Sequence, residues 1–173
     1  GEKVIIYTRF SKMVDIGVKA LADQKIKSLR ITGAEDEDAR KLAQDTFQDP
    51  NSDVKVIWIT NAGSDAINLQ AAKAIVFYDT PFSAGDYLQI IGRMVRIGSI
   101  HDRVYAIHLV ASKTIDERVM EVIERKMKLI EAVMGKRIKG EDTTPDEGSI
   151  ESRSDITDIF DALKKDAQGI LLV

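Results

Sequence analysis

Cysteine is absent from the 173-residue chain, which excludes disulfides, thiolate zinc sites and a cysteine nucleophile. A signal peptide and any apolar run long enough to cross a bilayer are absent as well, so the chain reads as intracellular with no membrane partner. An excess of positive charge is also missing: 25 Lys and Arg stand against 28 Asp and Glu, a net charge of −3. That balance gives no global attraction for nucleic acid, so any such contact must come from a local patch. There is no repeat and no low-complexity tract. No G-x-x-x-x-G-K-[ST] phosphate loop is present, and no Asp-Glu pair follows a strand where it could hold magnesium. His101 and His108 are the only two histidines and no third ligand clusters with them, so no metal site is expected.

What is present suits one soluble globular domain. Hydrophobic residues make up 44% and charged residues 31% of the chain, and this length buries roughly 70% of its unfolded surface. Val4 to Tyr7 is a continuous apolar run, as expected of a strand buried on both faces. Ser11 is a candidate N-cap for a helix to about Ala22. The unit then repeats: a strand over Lys27 to Ile31, a turn at Thr32-Gly33-Ala34, and a helix from Glu35 to Phe47 with acids in its first turn.

Val54 to Ile59 is the strongest strand signal, rich in β-branched residues. Trp58 alternates within it and is most simply core. A polar loop with a short helical turn follows, from Thr60 to Leu69. Ala74 to Tyr78 is a further strand, ended by Asp79-Thr80-Pro81. Ser83 caps the next helix, Val104 to Val110 is a last strand, and Thr114 with Glu117 makes a capping box. Strands alternating with helices at this rhythm predict an α/β fold, a parallel sheet with helices on both faces. Ligands of such sheets gather at the carboxyl ends of the strands, where the polar stretches after Tyr7, Ile31, Ile59 and Tyr78 begin.

From Ile115, apolar residues at helical spacing through Met134 predict a long amphipathic helix. The organisation expected is therefore a domain over residues 1–135, a linker over 136–155 that has lost its hydrophobic period, and a short helical tail over 156–173.

The most informative stretch is Gln89-Ile-Ile-Gly-Arg-Met-Val-Arg-Ile-Gly98. Spacings of four and three put Gln89, Arg93 and Arg96 on one helical face. Two planar guanidiniums converging on one spot suit a phosphate tail. On spacing alone, a solvated amphipathic helix with surface arginines fits the same pattern. The loop Thr60-Asn-Ala-Gly-Ser-Asp-Ala-Ile-Asn-Leu69 is small and polar, fitting either a tight turn or a site where backbone N–H groups approach a phosphate.

Together these stretches resemble the C-terminal RecA-like lobe of a superfamily-two helicase, closest to the Swi/Snf-type ATP-driven DNA translocases. The resemblance runs from about Val4 to Met134. The family's last motor motif, Q-x-x-G-R-x-x-R-x-G, is complete. Its fifth motif matches at Thr60, Ala62, Gly63, Ile67, Asn68 and Leu69, with Ser64 and Ala66 standing where small glycines are usual. Asp79, Pro81 and Gln89 match the segment between these two motifs.

The resemblance implies a RecA-like, three-layer fold without its own phosphate loop, half of an ATPase and inactive alone. ATP and Mg2+ would be held mainly by an N-terminal RecA-like lobe of the same parent chain, with Arg93 and Arg96 reaching the γ-phosphate. Gln89, Gly63, Asp65 and Asn68 would lie toward the nucleotide. Thr8, Arg9, Gly33, Arg40, Thr60 and Asn61 would hold the backbone of double-stranded DNA. For Arg40, an ion pair with Asp36 or Glu37 on the helix surface is the alternative. For the whole chain the alternative is a RecA-like nucleic-acid-binding or interaction module without catalytic duty. A motor subunit of a restriction system would share the same lobe chemistry.

Overall fold

The computed structural model describes residues 1–63, 67–94, 101 and 103–138, with side chains described through residue 128. Asp65, Arg96 and the segment from 139 onward lie outside the described residues. In chain order the elements are β1 (Lys3–Tyr7), α1 (Ser11–Asp23), β2 (Ser28–Ile31), α2 (Glu37–Gln48), β3 (Val56–Ile59), a 3-10 turn (Asn61–Gly63), β4 (Ala72–Phe77), α3 (Ala84–Met94), β5 (Tyr105–His108) and α4 (Ile115–Ile138).

The five strands form one sheet in the order β2-β3-β1-β4-β5. Every pairing in it is parallel, with Tyr7 level with Ile59 on one side and with Phe77 on the other. Parallel strands need crossovers, and the 3.6-residue apolar period of α1, α2 and α3 supplies them between consecutive strands. The link from β3 to β4 instead steps across β1. Because the chain leaves β1 toward one edge and reaches β4 toward the other, β1 lies at the point where strand order reverses.

The period-2 alternation of the strands decides which residues face which layer. Ile5 and Tyr7, Ile31, Ile57 and Ile59, and Ile75 and Phe77 form one buried cluster with Ala43 and Phe47 of α2 and Ile90 and Met94 of α3. Each large apolar side chain so buried contributes roughly 1.5–3 kcal/mol. On the other face Trp58 is 4% exposed and α1 lies against it at Gly17, where a Cβ would sit 2.2 Å from the indole ring.

Polar side chains set the helix ends. Asp36 rather than Glu35 opens α2, its carboxylate accepting from the Ala39 N–H at 2.8 Å. The buried Lys3 ammonium donates to the Phe47 carbonyl and, at 2.6 Å, to the Asp49 carbonyl, satisfying the end of α2. Burial, with Lys55 nearby, holds this amine below the usual lysine range. Helix α1 begins one position earlier than a Ser11 cap implies: Ser11 is already helical and Phe10 occupies the cap position without a side-chain bond, its own N–H donating to the Thr8 hydroxyl at 3.3 Å. Helix α1 ends with Lys25 at φ 60°, where Lys25 N–H bonds the Ala22 carbonyl and Ile26 N–H bonds the Leu21 carbonyl. That is a Schellman ending on a residue other than glycine.

Among the described residues, those within Gly1–Thr80 and Asp86–Leu109 form one compact unit, and those of Pro81–Gly85 with 110–138 form a second. In the second unit the Thr114 hydroxyl caps α4 by accepting from the Asp116 N–H at 3.3 Å, and Val119, Val122 and Ile123 make the helix's buried stripe.

Candidate nucleic-acid interface

In a parallel sheet all carboxyl ends emerge on one edge, and here the strand order lines up four polar endings. Threonine closes each of β1, β2 and β3 as Thr8, Thr32 and Thr60, and Thr80 follows β4; all four are buried. The ladder continues one step past the strands through Thr8 N–H to the Ile59 carbonyl (3.1 Å), Thr60 N–H to the Ile31 carbonyl (3.3 Å) and Tyr78 N–H to the Tyr7 carbonyl (2.9 Å). The loops therefore start at a common level.

A cleft of about 430 Å³ opens there, lined by Arg9 and Ser11 after β1, Thr32 to Ala34 after β2, and Thr60 to Ala62 after β3. Gly33, Ala34, Asn61 and Ala62 are exposed. Exposed backbone, hydroxyls and a guanidinium in one concavity are the groups that hold a sugar-phosphate backbone without reading bases.

Each wall is braced from within. The Asp79 carboxylate, after β4, accepts from the Thr8 hydroxyl, from the Arg9 N–H at 3.0 Å and from Arg9 Nε at 2.8 Å. The Arg9 guanidinium also lies 5.1 Å from the Phe10 ring, a cation–π arrangement. The Tyr7 hydroxyl donates to Asn61 Oδ1 at 2.8 Å, and burial, then the Asp79 charge, push that phenol above its usual range. Glu35 folds back on the β2 loop, accepting from Thr32 N–H at 2.5 Å and from its hydroxyl at 2.7 Å. Burial pushes Glu35 up, but the Thr32 bonds and the Arg30 charge at 3.1 Å outweigh it and hold the carboxyl below its ordinary value.

The expected backbone-contact residues divide. Arg9, Gly33, Thr60 and Asn61 line the cleft together. Thr8 does not: its side chain is fully buried, its hydroxyl donating to Asp79 and accepting from Phe10. The Arg40 side chain makes no ion pair with Asp36 or Glu37 in the described contacts; its Nε donates to the Glu35 carbonyl at 2.9 Å, and only its backbone N–H reaches Asp36, at the carbonyl.

Among the residues expected to lie toward a nucleotide, Gly63 is buried, and a Cβ there would meet the Ile31 carbonyl oxygen at 2.3 Å. Its lack of a side chain lets the loop lie on the end of β2. Asn68 shapes its own turn, accepting from the Gln70 N–H at 3.3 Å, while its N–H goes to Gln44 of α2 at 2.8 Å. Gln89 is exposed and Arg93 half-buried on α3, offset from the inward stripe of Ile90 and Met94. The Arg93 carbonyl accepts from Leu69 N–H at 2.9 Å, which fastens the Thr60 to Leu69 loop to the helix. Arg96 and Asp65 lie outside the described residues.

His101 lies 3.2 Å from the Ala71 carbonyl, and the His108 ring stacks on both Phe77 and Tyr87, which also stack on each other. Among the described residues no three His, Cys, Asp or Glu side chains gather as metal ligands, and none of their helices is long and apolar enough to cross a membrane. Sequence reasoning missed the duties of Asp79, Glu35 and Tyr7. Asp79 was marked only by its place after an apolar strand and by its match to the segment between the last two motifs, neither of which pointed to Arg9.

A parallel sheet with helices on both faces and a polar cleft at its carboxyl edge fits a RecA-like lobe, the fold of the solved ATPase lobe it resembles. Matching the helicase conserved C-terminal domain over residues 1–98, the chain belongs to that family. It is 32% identical over 137 residues to the CHD3-type chromatin-remodeling factor PICKLE of Arabidopsis thaliana, covering 79% of this chain and 10% of that protein. The ATP-dependent helicase fft2 of Schizosaccharomyces pombe is 28% identical over 129 residues, 75% of this chain and 10% of that one. The C-terminal part of the Fun30 ATPase domain is a solved structure with a TM-score of 0.64 and 28% identity, covering 69% of this chain and 38% of its own. The relatives are Swi/Snf-type remodelling ATPases and helicases. The chain thus spans about a tenth of the length of these curated relatives.

Proposed function

We propose that this chain, over residues 1–135, is the second motor lobe of an intracellular ATP-dependent DNA translocase or helicase. ATP sits between this lobe and an N-terminal RecA-like lobe of the same parent, which supplies most contacts to the triphosphate and to Mg2+. Gln89, Arg93 and Arg96 approach the nucleotide from this side, with Gly63, Asp65 and Asn68 shaping the loop beside them. The two guanidiniums neutralise charge developing on the γ-phosphate. On the other side of the reaction cycle, Arg9, Gly33, Thr60 and Asn61 grip the backbone of double-stranded DNA. Arg40 braces the β2 loop and Thr8 holds Arg9 from beneath. Closure on ATP and opening after hydrolysis then step the lobes along the strand.

The observation that carries this reading is the cleft itself: three loops distant in sequence present one guanidinium, hydroxyls and exposed backbone at a single sheet edge. The family match and the complete arginine motif support it. Remodelling relatives favour DNA as the polymer. The test is ATP hydrolysis by the full-length parent with and without double-stranded DNA, beside this chain alone. DNA-dependent turnover by the parent and none by the chain is expected. A parent inert with every nucleic acid tried would replace this reading with a non-catalytic binding module.

A further inference from the structure

The loop carrying Arg9 is held by a residue from a strand far away in sequence. Asp79 follows β4, which is level with β1 in the sheet, so its carboxylate meets the loop after β1 edge on. It takes the Arg9 backbone N–H at 3.0 Å, the Arg9 Nε at 2.8 Å and the Thr8 hydroxyl. Its side chain is 15% exposed and that of Arg9 22%.

We infer that Asp79 is a positioning residue for the phosphate grip, fixing the Arg9 guanidinium toward the cleft. A carboxylate beside an arginine has two opposite effects on an incoming phosphate: it orients the guanidinium, and it competes for it. The partners decide between them. A competitor needs only the guanidinium, whereas Asp79 also binds a main-chain N–H and a fully buried hydroxyl, groups that no phosphate in the cleft displaces. Its bonds therefore fix the shape of the loop, and the bond to Nε turns one edge of the planar guanidinium inward. Arginine's donors are arranged in a rigid fork, so fixing one edge fixes the direction of the rest.

This inference rests on the proposed grip of a nucleic-acid backbone. Its test is a double-mutant cycle in the full-length parent, with Asp79→Ala, Arg9→Ala and the pair. Affinity for a short DNA duplex is read between about 50 and 200 mM salt. Each single change is expected to weaken binding about tenfold and to lower the salt slope by about one, as loss of one phosphate contact does. The pair should match Arg9→Ala alone, because the loop shape that Asp79 fixes reaches the grip only through the Arg9 side chain.

Additive losses, an unchanged salt slope in Asp79→Ala, or tighter binding by it would each overturn the inference. Should Asp79→Ala fail to give a folded circular-dichroism spectrum, Asp79→Asn, which keeps one acceptor oxygen, runs the same cycle. If Arg9→Ala itself leaves affinity and salt slope unchanged, the grip fails and the inference with it. If Arg9→Ala weakens binding and Asp79→Ala does not, the inference alone fails.

Discussion

Replacing Gly63 by alanine separates two reasons for a glycine in the loop after β3. If small residues there serve only the approach of a ligand, an added methyl group leaves the isolated chain's stability alone. The geometry says otherwise: the new Cβ would lie 2.3 Å from the Ile31 carbonyl oxygen, 2.5 Å from its carbon and 2.7 Å from the Thr32 Cα. All three are backbone atoms at the end of β2, which is paired along its length with β3, so no side chain can swing aside. Overpacking of this kind costs about 3 kcal/mol, the upper end of the usual range, because backbone must move. For a chain of this size that lowers Tm by roughly 6–12 °C. Gly92→Ala is the control. Nothing lies within 4 Å of its would-be Cβ and the position is inside α3, so alanine should raise stability by about 0.5–1 kcal/mol. Thermal melts followed by far-ultraviolet circular dichroism read both. A Gly63→Ala melt within a degree or so of wild type would refute the packing argument.

Two further outcomes follow from local geometry. Lys25 holds φ 60° at the end of α1, so Lys25→Gly should stabilise the chain by roughly 1 kcal/mol, read as a higher urea midpoint. Glu35 has its folded pKa depressed, so its clasp on Thr32 contributes stability that is complete above the ordinary value of 4.5 and lost as pH falls through the lower folded value. Urea midpoints measured down the acid range should fall more steeply in wild type than in Glu35→Gln; parallel curves would remove the clasp.

The strands were legible because apolar, β-branched runs such as Val56 to Ile59 have no stable alternative to a sheet buried on both faces. Their ends were not. The sequence pattern extended the last strand to Val110, but β5 is an edge with one neighbour, paired through His108 with one more bond from the Leu109 N–H to the Phe77 carbonyl at 3.0 Å. The pattern likewise favoured Ser11 as a cap, unaware that Thr8 would reach Phe10. In the site, the loops and their edge of the sheet could be read from parallel topology alone, which is why Arg9, Gly33, Thr60 and Asn61 were found together. The braces could not, since Asp79 meets Arg9 and Tyr7 meets Asn61 only because β1 lies between β3 and β4. Strand order is a long-range outcome that no local pattern of residues encodes. The same ignorance placed Thr8 at the surface when it is fully buried.

A lobe that completes an ATPase with its arginines, as proposed, makes hydrolysis by the full-length parent at saturating DNA depend on them. Arg93→Ala and Arg96→Ala should each lower turnover by on the order of 10³-fold or more, while affinity for DNA stays within about twofold of wild type, since neither arginine belongs to the proposed grip. Variants that keep most of their turnover would rule out this role for the arginines.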